Sequence, residues 1–173
     1  LEQTGCANAD TGWQPCHLLL RDAAGILAVM PLYLKSHSYG EYVFDWSWAD
    51  AWQRSGLDYY PKLVSAIPFT PATGPRLCLR PDGDLDAAWE AALQAIRRFA
   101  SARGISSWHL LFPEEGVARR LLEAGLHRRT ATQFHWFNEG YDNFEAFLAG
   151  FTSRKRKNLR RERARVAEQG LVL

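Results

Sequence analysis

The sequence predicts an α/β domain with a mixed, mostly antiparallel sheet flanked by helices, and three observations predict it. Apolar residues recur at three-and-four spacing from Leu85 to Ala100, the pattern of a helix with one buried face. That helix separates two short apolar runs of strand length, 62–69 and 105–112, and a second helical stretch, 114–124, leads to 130–137, where Thr132, Phe134 and Trp136 alternate. Ahead of them, two further apolar runs flank a turn composition. Strand, helix, strand, helix, strand behind two or three antiparallel strands is the order of a mixed sheet.

Each element has a local reason. Trp13 to Arg21 is a loosely strand-like run ending in Asp22-Ala23-Ala24-Gly25, and Ile26 to Lys35 follows, which predicts a hairpin. Pro31 interrupts the second run; lacking an N–H, it predicts an edge or a bulge there. A loop over 36–40 precedes a short strand-like run, Glu41 to Phe44. Trp46 to Arg54 has helical spacing, with Trp48, Ala51 and Trp52 on one side and Gly56 as the stop. Pro68, Pro71 and Pro75 prevent any regular element from continuing and predict a stiff loop, after which Arg76 to Arg80 is a further short strand. The long helix has Asp84 as its N-cap and Gly104 as its stop. Asp142 and Glu145 stand at capping-box spacing for a short helix carrying Phe144, Phe147 and Leu148. Ser153 to Gln169 is the last helix, closed by Gly170, and Leu171-Val172-Leu173 begins another strand.

Composition bounds the function. At 173 residues, with 47% hydrophobic and 23% charged, the chain fits one domain with a sizeable core. No apolar run approaches the ~20 residues needed to span a bilayer. The start, LEQTGCANAD, has no initiator Met and neither region of a signal peptide, so the expectation is an inner piece of a longer cytoplasmic protein. Cys6, Cys16 and Cys78 are an odd number without a CxxC pair, which predicts reduced thiols rather than a disulfide framework or a zinc site. His17, His109, His127 and His135 lack ligand spacing, and no metal site is expected. Net charge is +2, yet residues 1–150 carry 13 Lys and Arg against 17 Asp and Glu, net −4, while residues 151–173 carry 8 against 2, net +6. The basic charge is local.

One stretch, 31–76, holds 10 of the 22 aromatic residues, interleaved with Lys35, His37, Asp45, Asp50, Lys62 and Arg76. Aromatic surface with a few convergent polar groups is the composition of a ligand cleft. Lys35, Tyr39, Tyr42, Asp50, Tyr59, Tyr60, Phe69, Thr70, Thr73 and Arg76 are the candidate substrate-binding residues. His37 and Asp45 are the candidates for catalysis: histidine titrates near neutrality, and a carboxylate among aromatics binds an ammonium or carries a proton. Each has an ordinary alternative, a capping histidine and an ion pair with Lys35, Lys62 or Arg76. Trp46, Trp48 and Trp52 fit packing better than recognition. The Pro68–Arg76 segment, with its fixed φ angles, two hydroxyls and an Arg, predicts a loop that touches substrate.

Three stretches, LYLKSHSYGEYVFDWSWADA, LDYYPKLVSAIPFTPATGPRL and SRKRKNLRRERARVAEQG, resemble one bacterial family along nearly the whole chain. The resemblance is to the Fem-like predicted N-acyltransferases, built from acetyltransferase-type (GNAT) halves. It implies an N-terminal half over 1–151 and a basic connecting helix over 152–173 that leads into a second half. It also implies transfer of an acyl or aminoacyl group to an amine on a peptide, an amino sugar or a cell-wall precursor, with acyl-CoA or aminoacyl-tRNA as donor. In the enzymes it resembles, a Gln/Arg-x-x-Gly-x-Gly/Ala loop holds the CoA diphosphate. Here that position reads Leu79 to Asp86, with Pro81 lacking an N–H and three Asp, so the donor is expected mainly outside this half.

Arg154, Lys155, Arg156, Lys157, Arg160 and Arg161 fill the opening turns of the last helix, where the dipole is already positive. A counter-anion at this end, such as a phosphate, explains the arrangement, and so does a solvated charged face. The functions left open are N-acyl transfer, with this chain forming the acceptor-side wall, non-catalytic recognition of a cell-wall precursor, and binding of tRNA by a transferase half. Nothing resembling Gly-x-Ser-x-Gly appears, which fits direct transfer.

Overall fold

The computed structural model describes residues 1–170, which form two compact units divided after Ala131. The units divide after Ala131, so the short helix after Asn143 groups with the basic helix.

The first unit runs β1 (Trp13–Pro15), β2 (Leu18–Asp22), β3 (Gly25–Met30), β4 (Tyr33–Lys35), α1 (Trp46–Arg54), β5 (Lys62–Ser65), β6 (Cys78–Leu79), α2 (Leu85–Ala102), β7 (Trp108–Leu110) and α3 (Glu115–Glu123). Two sheets result, one of order β1-β4-β5-β7 and one of order β2-β3-β6. All pairings are antiparallel except β5 with β7, which α2 makes parallel by crossing between them. The fold is α/β with mixed sheets, as the pattern of elements predicts.

The expected hairpin forms, Leu18 opposite Met30 and Asp22 opposite Gly25. Both of its runs are cut, however, and each half joins a different sheet. Cys16 and His17 separate β1 from β2, and Pro31 and Leu32 separate β3 from β4. The two crossing points hold each other: Cys16 N donates to Leu32 O at 2.8 Å, and Leu32 N donates to the His17 ring Nδ1 at 3.1 Å. Pro31, with no N–H to offer, marks the step.

α2 forms for the reasons visible in its sequence. The Asp84 carboxylate accepts from Asp86 N at 2.8 Å and Ala87 N at 3.1 Å, and Ala88, Trp89, Ala92, Leu93 and Ile96 are buried. They meet Ala28, Met30 and Leu63 from the strands, Leu32 from the step between β3 and β4, and Leu121 from α3. Each large apolar side chain buried there contributes roughly 1.5–3 kcal/mol.

Two expected strands are absent. Residues 41–44 are irregular, because Tyr42 and Phe44 take left-handed backbone angles, φ 59° and 50°, that no ladder accommodates. Residues 130–137 form no strand either: they alternate as a strand would but have no ladder partner among the described residues. The expected strand at Leu171–Leu173 lies outside the described residues.

The second unit holds α4 (Phe144–Ala149) and α5 (Ser153–Glu168). The N-cap of α4 is Asn143, whose side chain accepts from Ala146 N at 2.9 Å, and not Asp142. Asparagine one residue later reaches the same free N–H groups, so the capping box does not form. No helix of the described residues is long and apolar enough to cross a membrane.

Candidate functional site

The site is built on one face of the four-stranded sheet. Trp13 pairs with Lys35 across β1–β4, Lys35 with Lys62 and Tyr33 with Val64 across β4–β5, and Val64 with His109 across β5–β7. Side chains alternate along each strand, so all six share a face, while Leu34, Leu63 and Leu110 point to the opposite face, against α2. This face therefore carries two lysines in register. It is closed by the loop 36–45.

Lys62 is the centre of that closure. Its Nζ donates to Asp45 Oδ2 at 2.5 Å, Glu41 Oε2 at 2.8 Å and Ser38 Oγ at 2.9 Å, and all three charged side chains have no solvent exposure. Tyr59 OH donates to the same Asp45 oxygen at 2.6 Å, and Ser38 Oγ and Tyr60 OH share a hydrogen bond of 2.7 Å. Lys35 Nζ lies 3.7 Å from the Trp13 ring centre and donates to Tyr39 O at 3.2 Å, the oxygen that Trp13 Nε1 also reaches. In this cluster the buried charged side chains are two basic and two acidic. Two carboxylate oxygens, Glu41 Oε1 and Asp45 Oδ1, are buried without a hydrogen-bond partner.

Burial sets the titration of these groups. It pushes Asp45 up, but the hydrogen bonds from Lys62 and Tyr59 outweigh it and hold the carboxyl at about 2. Burial raises Glu41, because Lys62 compensates it less completely. Burial also lowers Lys35 to about 8, with Lys62 adding repulsion and Glu41 opposing it. His109 is lowered to about 4 by burial and by Lys62, and its Nε2 shares a 2.8 Å hydrogen bond with Ser107 Oγ.

Around this charged floor stands an aromatic rim. Tyr39, Tyr42, Phe44, Trp46, Trp48 and Phe69 are all exposed. Phe69 closes over Gly40, where an added Cβ would lie 2.6 Å from the ring, and its N donates to Gly40 O at 3.1 Å. The rim is exposed aromatic surface, and the charged floor beneath it is closed to solvent.

The sequence-predicted residues separate into three groups. Tyr39, Tyr42, Phe69, Thr70 and Thr73 are exposed in the wall, and so is Asp50, which pairs with Arg54 at 3.0 Å. Lys35, Asp45, Tyr59 and Arg76 are buried, with Tyr60 half-buried, and they hold the wall up. Arg76 donates Nε to Leu111 O at 3.0 Å, Nη1 to Gly74 O at 3.1 Å and Nη2 to Ala72 O at 2.6 Å, so its guanidinium is engaged in fixing the proline loop. His37 accepts from Tyr39 N through Nδ1 at 3.2 Å, which leaves its proton on Nε2, against Gly12. That is a capping role. Trp46 and Trp48, expected to pack, are exposed instead, and α1 buries none of its residues.

Sequence reasoning missed Ser38, Glu41 and the central place of Lys62. The one available signal was Lys62 itself, a charged residue opening a run, Leu63 to Ala66, whose apolar character requires burial of whatever precedes it.

In the second unit, the six basic residues of α5 are divided. Arg160 pairs with Glu145 at 2.5 Å, Arg156 donates to Phe151 O at 2.7 Å, and Arg161 reaches Asn158 at 3.5 Å. Arg154, Lys155 and Lys157 are exposed and pair with no carboxylate among the described residues. Thr152, the N-cap, makes no side-chain bond to the free N–H groups. At Leu79 to Asp86, Arg80 pairs with Asp22 at 2.7 Å and Asp82 at 2.5 Å, Asp84 caps α2, and Asp86 pairs with Arg120, so each carboxylate has a structural partner.

The family described as peptidoglycan biosynthesis/recognition, FemAB-like, matches residues 1–173. The chain belongs to this Fem-like family. No curated protein and no solved structure matches it. Membership connects the chain with peptidoglycan.

Proposed function

We propose that the protein transfers an aminoacyl or acyl group to an amine of a peptidoglycan precursor, with residues 31–76 forming the acceptor-side wall. The observation that carries this reading is the exposed aromatic rim held over a neutralised, buried charge cluster, in a chain whose family acts in peptidoglycan biosynthesis or recognition. The acceptor amine attacks an activated carbonyl directly, and the wall contributes orientation. Neither His37 nor Asp45 is set up as its general base. Asp45 is buried and too acidic, and the free nitrogen of His37 already accepts a backbone N–H. The donor, acyl-CoA or aminoacyl-tRNA, binds mainly outside this wall, with Arg154, Lys155 and Lys157 as the available cations for its phosphates.

A second reading, recognition of the precursor without transfer, is favoured by one observation: the buried acids and bases of the wall are matched to each other. Incubation of the protein with a UDP-linked peptide precursor and either aminoacyl-tRNA or acyl-CoA, followed by mass spectrometry, decides between them. Acylated precursor from one donor supports transfer. Precursor binding with no product from either donor supports recognition.

A further inference from the structure

We propose that the aromatic rim is a stacking platform for a neutral saccharide ring. This names the ligand class of the wall and rests on its acceptor-side role.

The loop beneath the rim is inverted. Its polar residues Ser38, Glu41 and Asp45 are buried at 5%, 2% and 0% exposure, while its aromatic residues Tyr39, Tyr42 and Phe44 stand 66%, 49% and 71% exposed. A loop folded for stability alone does the opposite, because burying a carboxylate is costly and burying a ring is favourable. Backbone strain points the same way. Tyr42, Phe44 and Phe69 have φ of 59°, 50° and 58°, a region that large side chains rarely adopt and that persists where function requires it. Lys62, bonded to Ser38, Glu41 and Asp45, holds the loop in this conformation from below.

The rings are also fixed relative to one another. Tyr39 lies 5.0 Å from Trp46, His37 5.2 Å from Tyr39, and Phe69 5.6 Å from Trp13. Arg129 sits 5.5 Å from the Trp48 ring. Apart from that one guanidinium, what they offer is flat π surface with neutral donors. The Tyr42 hydroxyl and the Trp46 and Trp48 indole N–H groups make no hydrogen bond among the described residues.

That chemistry selects the occupant. Residues 36–53 contain no Lys or Arg, Arg54 is paired with Asp50, and Arg129 over the Trp48 ring is a single cation, so an anionic membrane surface finds no basic cluster there. Glu41 and Asp45 are buried and Asp50 is paired with Arg54, so an ammonium finds no free carboxylate there. A pyranose ring presents C–H groups of partial positive charge to the negative face of an aromatic ring, and hydroxyls at its edge to the neutral donors.

The test is a Trp fluorescence titration of the protein with the β-1,4-linked N-acetylglucosamine trisaccharide, in parallel with D-alanyl-D-alanine and with phosphatidylglycerol vesicles. The expected result is a saturable response to the trisaccharide that survives about 1 M salt, since the trisaccharide carries no charge. Tyr42→Ala and Trp46→Ala are expected to weaken it roughly tenfold or more. Phe44→Gly relieves the strained φ, so it is expected to raise the thermal midpoint while weakening binding, whereas a packing role for the ring would lower the midpoint. No response to the trisaccharide, an equal response in all three variants, or a response to the vesicles or the dipeptide in its place overturns the platform. Saccharide binding without transfer leaves the platform standing and removes the transferase. Equal transfer to a peptide amine with and without its saccharide removes the platform and leaves the transferase.

Discussion

Lys35 and Lys62 are register partners across β4 and β5, on the same face of the sheet, and neither is exposed to solvent. Like charges directly opposite each other oppose strand pairing. The pair is tolerated because Glu41 and Asp45, brought in by the loop, supply two anions and because the Trp13 ring covers the Lys35 ammonium. Sheet and loop therefore stabilise each other, and the exposed aromatic rim is the outer surface of that arrangement.

Removing the central cation leaves two buried carboxylates without it. Lys62→Met is expected to destabilise the protein by about 3–5 kcal/mol, the cost of breaking a buried pair by deleting one partner. Urea unfolding measures it. A loss comparable to that of an exposed ion pair, below about 1 kcal/mol, would show that the cluster is not closed to water.

Acid stability follows from Asp45. Its folded-state carboxyl, held at about 2, binds a proton more weakly than in the unfolded chain. Its contribution is complete above the ordinary carboxylate range and is lost as pH falls toward 2. Glu41, raised by burial, acts in the opposite sense: its contribution is present at low pH and declines as pH rises through its raised value. Asp45→Asn is expected to flatten the fall in stability between pH 4 and pH 2, read from thermal midpoints across that range. An unchanged acid limb would place the acid-sensitive group elsewhere.

Arg76 ties the proline loop to the strand end at Leu111 through carbonyl oxygens alone. Lysine keeps the charge but cannot span those acceptors with a planar fork. Arg76→Lys is expected to cost about 1–3 kcal/mol by leaving buried carbonyls unsatisfied, and to speed proteolysis within 70–75 without changing the sheet. Equal cleavage rates in the two proteins would mean that the prolines alone stiffen the loop.

The parts of the fold legible in the sequence are those governed by local chemistry. α2 was readable because periodicity, Asp84 and Gly104 all agree, and the structure confirms both the buried face and the cap. Residues 130–137 carry an equally clear alternation, yet alternation only states what a strand needs and not whether a neighbour supplies it. The aromatic wall was visible as composition. Its floor was not, because Lys62 meets residues 17, 21 and 24 positions away, and nothing local announces such a meeting. The same fact explains why Trp46 and Trp48 were expected inside: large rings are normally buried, and only the inward turn of Glu41 and Asp45 shows that this loop runs the other way.

In the proposed transferase the wall orients an acceptor and takes no part in the chemistry. Steady-state transfer to a peptidoglycan precursor by the wild-type protein and by Trp46→Ala tests it most directly. The predicted result is an acceptor KM raised roughly tenfold with kcat within about twofold, the pattern of lost uniform binding. A fall in kcat with an unchanged KM would contradict it.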